Sequence, residues 1–180
     1  MKKSAWKISF VALAACFICV CAQIALPIGG VPLTLQTFAV IFCGYLLGTG
    51  AGVSATAVYL LLGAVGLPVF AGFGASLAFL LGPTGGFLFG FLPLAFFCGI
   101  ASRIKKVFFG VLLSALGLLL CHAAGVIQFS FVTGTSPLQA FLAASLPYLP
   151  KDLLSILLAR FLLTKIQKRL PRAPIFRNET

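Results

Sequence analysis

Acidic residues are almost missing from this chain. Its 180 residues include two, Asp152 and Glu179, against 13 Lys and Arg, with a single His. With no second carboxylate inside an apolar segment, aspartyl-type proteolysis, which needs a carboxylate pair, is excluded. His122 has no partner in an H-E-x-x-H sequence, which excludes a zinc protease and leaves it reading as a core histidine. A Ser-His-Asp set could be assembled only on paper. No G-x-x-x-x-G-K-[ST] sequence is present, so ATP hydrolysis by a P-loop is excluded. Charged residues of both signs make up 8% of the chain, whereas an ordinary soluble domain carries about 25%.

What fills the chain instead is apolar: 61% of residues, with a mean hydropathy of +1.17. A soluble globule of this size cannot hide that much apolar surface. A soluble enzyme, a disordered chain and a nucleic-acid-binding domain are therefore excluded, despite the net charge of +11. A spanning helix needs about 20 apolar residues, and six fit. The runs lie at about 8–26, 33–47, 51–65, 84–101, 107–129 and 150–166. Pro27 and Gly29-Gly30 are expected to stop the first, and Gly48-Thr49-Gly50 to turn the second into the third. A long uncharged connection occupies 66–83, and 138–146 reads as a short interfacial helix. The expected fold is an all-α integral membrane protein, a six-transmembrane-helix bundle in one domain over 1–170, with ligand-covering outer loops and a polar tail at 171–180.

The basic residues orient this bundle. Lys2, Lys3 and Lys7 precede the first run, Arg103, Lys105 and Lys106 follow the fourth, and Arg160, Lys165, Lys168, Arg169, Arg172 and Arg177 lie in or after the sixth. With six spans these clusters share one side, the cytoplasm, and so do both termini. Lys151 alone falls outside. A five-span arrangement would put the C-terminal cluster outside. A competing reading makes Leu13-Ala14-Ala15-Cys16 a lipoprotein cleavage site, which would remove the first span and break this parity.

All six cysteines lie within apolar runs, where a thiol packs as a small hydrophobe; no metal or disulfide framework is expected. The polar residues suited to a ligand gather on the outer side. Asp152 starts the sixth span, where an acid is either a site residue or a helix-start residue favoured by the macrodipole. Thr34 and Gln36 lie in the first outer loop, and the Gln36 amide can read a urea or amide face. The second loop brings Phe70, Phe73 and Phe79, then Thr84 and Phe87 within Gly82-Pro83-Thr84-Gly85-Gly86-Phe87; glycines admit a ligand close to backbone and aromatics give it walls. Ala12 and Cys16 form a small-xxx-small pair suited to helix contact, as do Ala15 with Cys19, Gly44 with Gly48, and Gly86 with Gly90. With few ionisable groups for ion coupling and no ATP site, the chain reads as a binding subunit that borrows its energy from a partner.

These residues resemble the BioY family. The resemblance rests on Ala22-Gln23-Ile24, Pro27, the run from Val31-Pro32-Leu33-Thr34-Leu35-Gln36 to Val40, the run from Tyr59 to Phe70, Gly82-Pro83-Thr84-Gly85-Gly86-Phe87, and Pro147-Tyr148-Leu149-Pro150-Lys151-Asp152. It implies a biotin-binding membrane subunit, the S component, of an energy-coupling-factor transporter in the plasma membrane. By the same resemblance it is expected to be no enzyme and to carry no cofactor. Its implied partners are biotin or a related carboxylate-bearing vitamin, membrane lipid, a transmembrane coupling subunit and two cytoplasmic ATPases. A stand-alone facilitator is the alternative. The resemblance places Ala12 and Cys16 against the coupling subunit and makes Asp152 the family's acid. Two departures concern charge: the family usually carries Lys where Ser155 stands, and Gly where Lys151 stands. Lys151 is therefore expected to supply the ligand-side positive charge from the same helix face as Ser155. In addition, Phe87 stands where Tyr often follows Gly-Pro-Thr-Gly-Gly.

Overall fold

The computed structural model describes residues 2–26 and 32–169, with side chains from residue 5 onward. The stop expected at Pro27 and Gly29-Gly30, and the polar tail, lie outside these residues. Helix α1 (Lys2–Gln23) leads into a two-stranded ribbon, β1 (Ala25–Leu26) paired antiparallel with β2 (Leu33–Thr34) in the register Ala25 to Thr34. Then come α2 (Gln36–Ala64), a 3-10 turn at Ala71–Phe73, α3 (Leu77–Leu81), α4 (Gly85–Ala101), α5 (Val107–Thr133), α6 (Pro137–Ala144) and α7 (Leu149–Arg169). By length and composition, α1, α2 and α5 can each cross a membrane; α6 and α7 together pass the same test but meet at a 55° bend.

The expected second and third runs are the two arms of α2, broken where expected, at Gly48. Gly48 has φ 75° and ψ −179°, a conformation open to glycine and closed to side-chain-bearing residues. There α2 folds back on itself. Residues 36 and 59 of a straight helix would stand about 35 Å apart, yet Gln36 Nε2 donates to the Tyr59 hydroxyl across 2.6 Å. Near the bend a Cβ on Gly52 would sit 2.9 Å from Gly44 Cα, so the two arms touch backbone to backbone.

Helix α4 makes the most extensive contacts, with α5 on one side and α2 on the other. Glycine sets both approaches. A Cβ on Gly90 would lie 2.7 Å from Cys121 Cα, and one on Gly44 2.8 Å from Ala95 O. The Gly86 and Gly90 pair therefore forms the internal α4–α5 seam, since Gly86 in turn abuts Ala124. Cys21, Cys43, Cys98 and Cys121 belong to the apolar core, and all six cysteines are free thiols.

Two other boundaries differ from expectation for local reasons. Helix α5 continues to Thr133 because the chain does not turn until Gly134, left-handed at φ 68°. Helix α6 begins one residue early, at Pro137, because Ser136 and Gln139 form a reciprocal capping box around it. At the end of the bundle holding the α2 bend, Arg160 of α7 is 8% exposed. It donates to the Ala101 and Ile104 carbonyls at the end of α4, and its guanidinium lies 5.7 Å from the Tyr45 ring centroid. Arg160, expected in the basic cluster in or after the sixth span, is a buried cap whose donors meet carbonyls at and just past the end of α4.

Candidate functional site

A cavity opens at the opposite end of the bundle, between the ribbon, the 66–84 connection and the α6–α7 corner. Pro32, Thr34, Gln36, Thr37, Ala71, Phe79, Thr84, Phe87, Leu88, Phe91, Cys121, His122, Ala144, Tyr148, Lys151 and Asp152 line it.

Its polar wall centres on Asp152, 3% exposed in the first turn of α7. Asp152 Oδ2 lies 3.2 Å from His122 Nε2, and His122 Nδ1 lies 2.7 Å from Ser145 Oγ. Asp152 Oδ1 lies 2.6 Å from Lys151 Nζ. Beyond this ion pair, Oδ1 is a buried acceptor with no hydrogen-bonded partner among the described residues. Lys151 Nζ also donates to the Thr34 carbonyl at 2.8 Å, which ties α7 to the ribbon. The Thr34 hydroxyl in turn accepts from the Gln36 backbone N–H at 3.3 Å.

Ser145, His122 and Asp152 thus do form a chain in space, contrary to the expectation that such a set exists only on paper. It is not arranged for hydrolysis. Ser145 is 0% exposed and does not line the cavity, and the histidine presents Nδ1, not Nε2, to the hydroxyl.

The apolar wall is a relay of rings. Phe79, lining the cavity, stacks on Phe70 with centroids 5.2 Å apart; Phe70 meets Tyr59 edge-on at 5.5 Å, and Phe87 meets the His122 ring edge-on at 5.8 Å. Two glutamines hold the backbone of the covering connection. Gln23 of α1 donates to the Phe70 carbonyl at 3.0 Å and accepts from the Phe73 N–H at 3.1 Å. Gln128 of α5 donates to the Leu80 and Gly82 carbonyls, each at 2.8 Å.

Of the residues expected at a site, the structure gathers Thr34, Gln36, Thr84, Phe87, Lys151 and Asp152 around this one cavity. Phe70 and Ser155 stand behind it. The Phe70 ring is fully buried against Gly63, where a Cβ would collide with it, and the Ser155 hydroxyl donates to the Lys151 carbonyl at 2.9 Å. Phe73 is exposed. Sequence reasoning assigned His122 to the core and singled out neither Tyr59 nor Tyr148. His122 carries one available signal: it is the single histidine of the chain. Ala12 and Cys16 lie on the outward face of α1, while Ala15 and Ile18 face the core.

Residues 1–172 match the BioY family. The chain belongs to the BioY family. Among curated relatives, it is 40% identical to the biotin transporter BioY of Thermotoga maritima over 148 residues, which is 82% of this chain and 87% of the relative. It is 38% identical to the probable biotin transporter BioY of Pyrococcus horikoshii over 161 residues, 89% of this chain and 96% of the relative. Its structure matches the crystal structure of an S-component for biotin from an ECF-type ABC transporter with a TM-score of 0.84, 25% identity and 93% of each chain covered. The BioY match takes in every residue lining the cavity.

Proposed function

We propose that this BioY-family chain is the biotin-binding membrane subunit of an energy-coupling-factor transporter and that biotin occupies the cavity at Asp152. The observation that carries the reading is a buried carboxylate, Asp152, in the lining of an aromatic-walled cavity, with an Oδ1 that meets Lys151 as an ion pair and has no hydrogen-bonded partner among the described residues. Biotin's ureido ring offers two N–H donors and a carbonyl. An ionised carboxylate oxygen accepts one such donor strongly. The Gln36 amide, anchored on Tyr59, supplies a second polar group beside it. Phe79, Phe87 and Phe91 take the apolar ring face. Lys151, adjoining both Asp152 and the ribbon, meets the ligand carboxylate.

In this reading the chain crosses the plasma membrane six times, with both termini in the cytoplasm and the cavity at the outer face. The crossings are α1, the two arms of α2, α4, α5 and α7. The folded-back α2 and the placement of every basic residue except Lys151 support that count. A coupling subunit docks on the Ala12 and Cys16 face of α1, and two cytoplasmic ATPases supply the power stroke. Purification in mild detergent tests the proposal: biotin should copurify with the chain, and coupling and ATPase subunits should copurify unless Ala12→Trp blocks their face. Absence of biotin from the folded protein overturns the ligand assignment. Biotin uptake by the chain alone would favour the stand-alone facilitator.

A further inference from the structure

We infer that His122 is a positioning residue for Asp152: with Ser145 behind it, it fixes the carboxylate so that Oδ1 and not Oδ2 is presented to the ligand. The inference rests on the biotin reading above.

His122 reaches across three elements. It projects from α5, one ring nitrogen meets Ser145 at the end of α6, and the other meets Asp152 in the first turn of α7. An ionised carboxylate only accepts, so His122 Nε2 carries the proton and donates to Asp152 Oδ2 across 3.2 Å. In the neutral ring Nδ1 is then the acceptor, and the Ser145 hydroxyl, 2.7 Å away, is the group placed to donate to it. The tautomer follows from these partners. Phe87 edge-on to the ring at 5.8 Å holds its plane. Ser145 is 0% exposed and has one ring nitrogen to serve, so the hydroxyl fixes the histidine and contributes no surface to the cavity.

The consequence is a division of labour between the carboxylate oxygens. Oδ2 meets the histidine, while Oδ1 meets the Lys151 ammonium and has no further hydrogen-bonded partner among the described residues. Without His122, the carboxylate can rotate to offer either oxygen to Lys151, and the acceptor loses its fixed direction. Ordering it again on ligand binding subtracts from affinity.

The test is a double-mutant cycle on biotin affinity in purified protein, combined with an infrared readout that needs no ligand. His122→Phe keeps a ring of similar size beside Phe87 and removes both nitrogens. It should weaken biotin by about tenfold, as expected for one lost hydrogen bond to a charged group. In an Asp152→Asn background the same change should cost less than about twofold, because coupled residues are not additive. His122→Gln, whose amide can reach the Nε2 position, should restore most of the affinity, and His122→Asn should not. Unchanged affinity in His122→Phe, or an equal loss in the Asp152→Asn background, overturns the inference. The carboxylate stretch isolated by subtracting the Asp152→Asn spectrum should shift in ligand-free His122→Phe. Because the chain has two acidic side chains, this band can be assigned. Failure of the wild-type protein to bind biotin would overturn the ligand assignment, and the infrared band would still decide the role of His122. If His122→Phe does not fold, His122→Gln and His122→Asn carry the comparison.

Discussion

Lys151 and Asp152 show how neighbouring residues on one helix turn take separate tasks. An unpaired buried carboxylate is costly, and here the lysine and the histidine compensate it from two sides. Lys151 Nζ donates to the Thr34 carbonyl at the cavity lining, and in the proposed binding mode a ligand carboxylate exchanges for that carbonyl. Lys151→Ala should weaken biotin by about 10- to 100-fold, the range for one lost charge-assisted contact, and leave the uncharged biotin amide nearly unaffected. Equal effects on the two ligands, measured by competition binding, would show that Lys151 acts through Asp152 alone. Thr34, Gln36 and Asp152 were legible in the sequence because polar groups at the ends of apolar runs have few structural uses. His122 was not legible, since its use depends on Ser145 and Asp152, 23 and 30 residues downstream, being brought to the two sides of one ring.

At the scale of elements, the site depends on two glycine-determined approaches. The fold of α2 at Gly48 brings Tyr59 beneath Gln36, and the α4–α5 seam at Gly86 and Gly90 aligns Phe87 with His122. Gly90→Val would press a side chain on the Cys121 backbone, which cannot move as a side-chain tip can. It should lower stability by about 1–3 kcal/mol, the usual cost of overpacking, seen as a reduced thermal midpoint in detergent. An unchanged midpoint would mean that the seam yields. Most helix positions were legible from hydropathy, and Gly48-Thr49-Gly50 marked the turn. The 66–83 connection was legible as a connection, but neither the 3-10 turn and α3 within it nor its support as a cover was legible. Its supports are the amides of Gln23 and Gln128, and the periodicity of an apolar helix does not reveal which way a lone glutamine points.

At the scale of the whole molecule, charge and shape divide the bundle into two ends. One holds the cavity and Lys151; the other holds the α2 bend, the Arg160 cap and Lys105 with Lys106. Cysteines introduced at 102–106 should be protected from an impermeant thiol reagent in intact cells, while those at 133–136 should react. The reverse pattern would invert the molecule and place the cavity inward. The central claim, that the carboxylate of Asp152 is the acceptor by which this chain holds biotin, is tested most directly by equilibrium binding of labelled biotin to the purified protein and to Asp152→Asn. The expected result is saturable binding to the wild type and an affinity lower by about 10- to 150-fold in the variant, the cost of one charge-assisted hydrogen bond. Equal affinity in a folded Asp152→Asn protein would contradict the claim and reduce Asp152 to a residue that merely starts its helix.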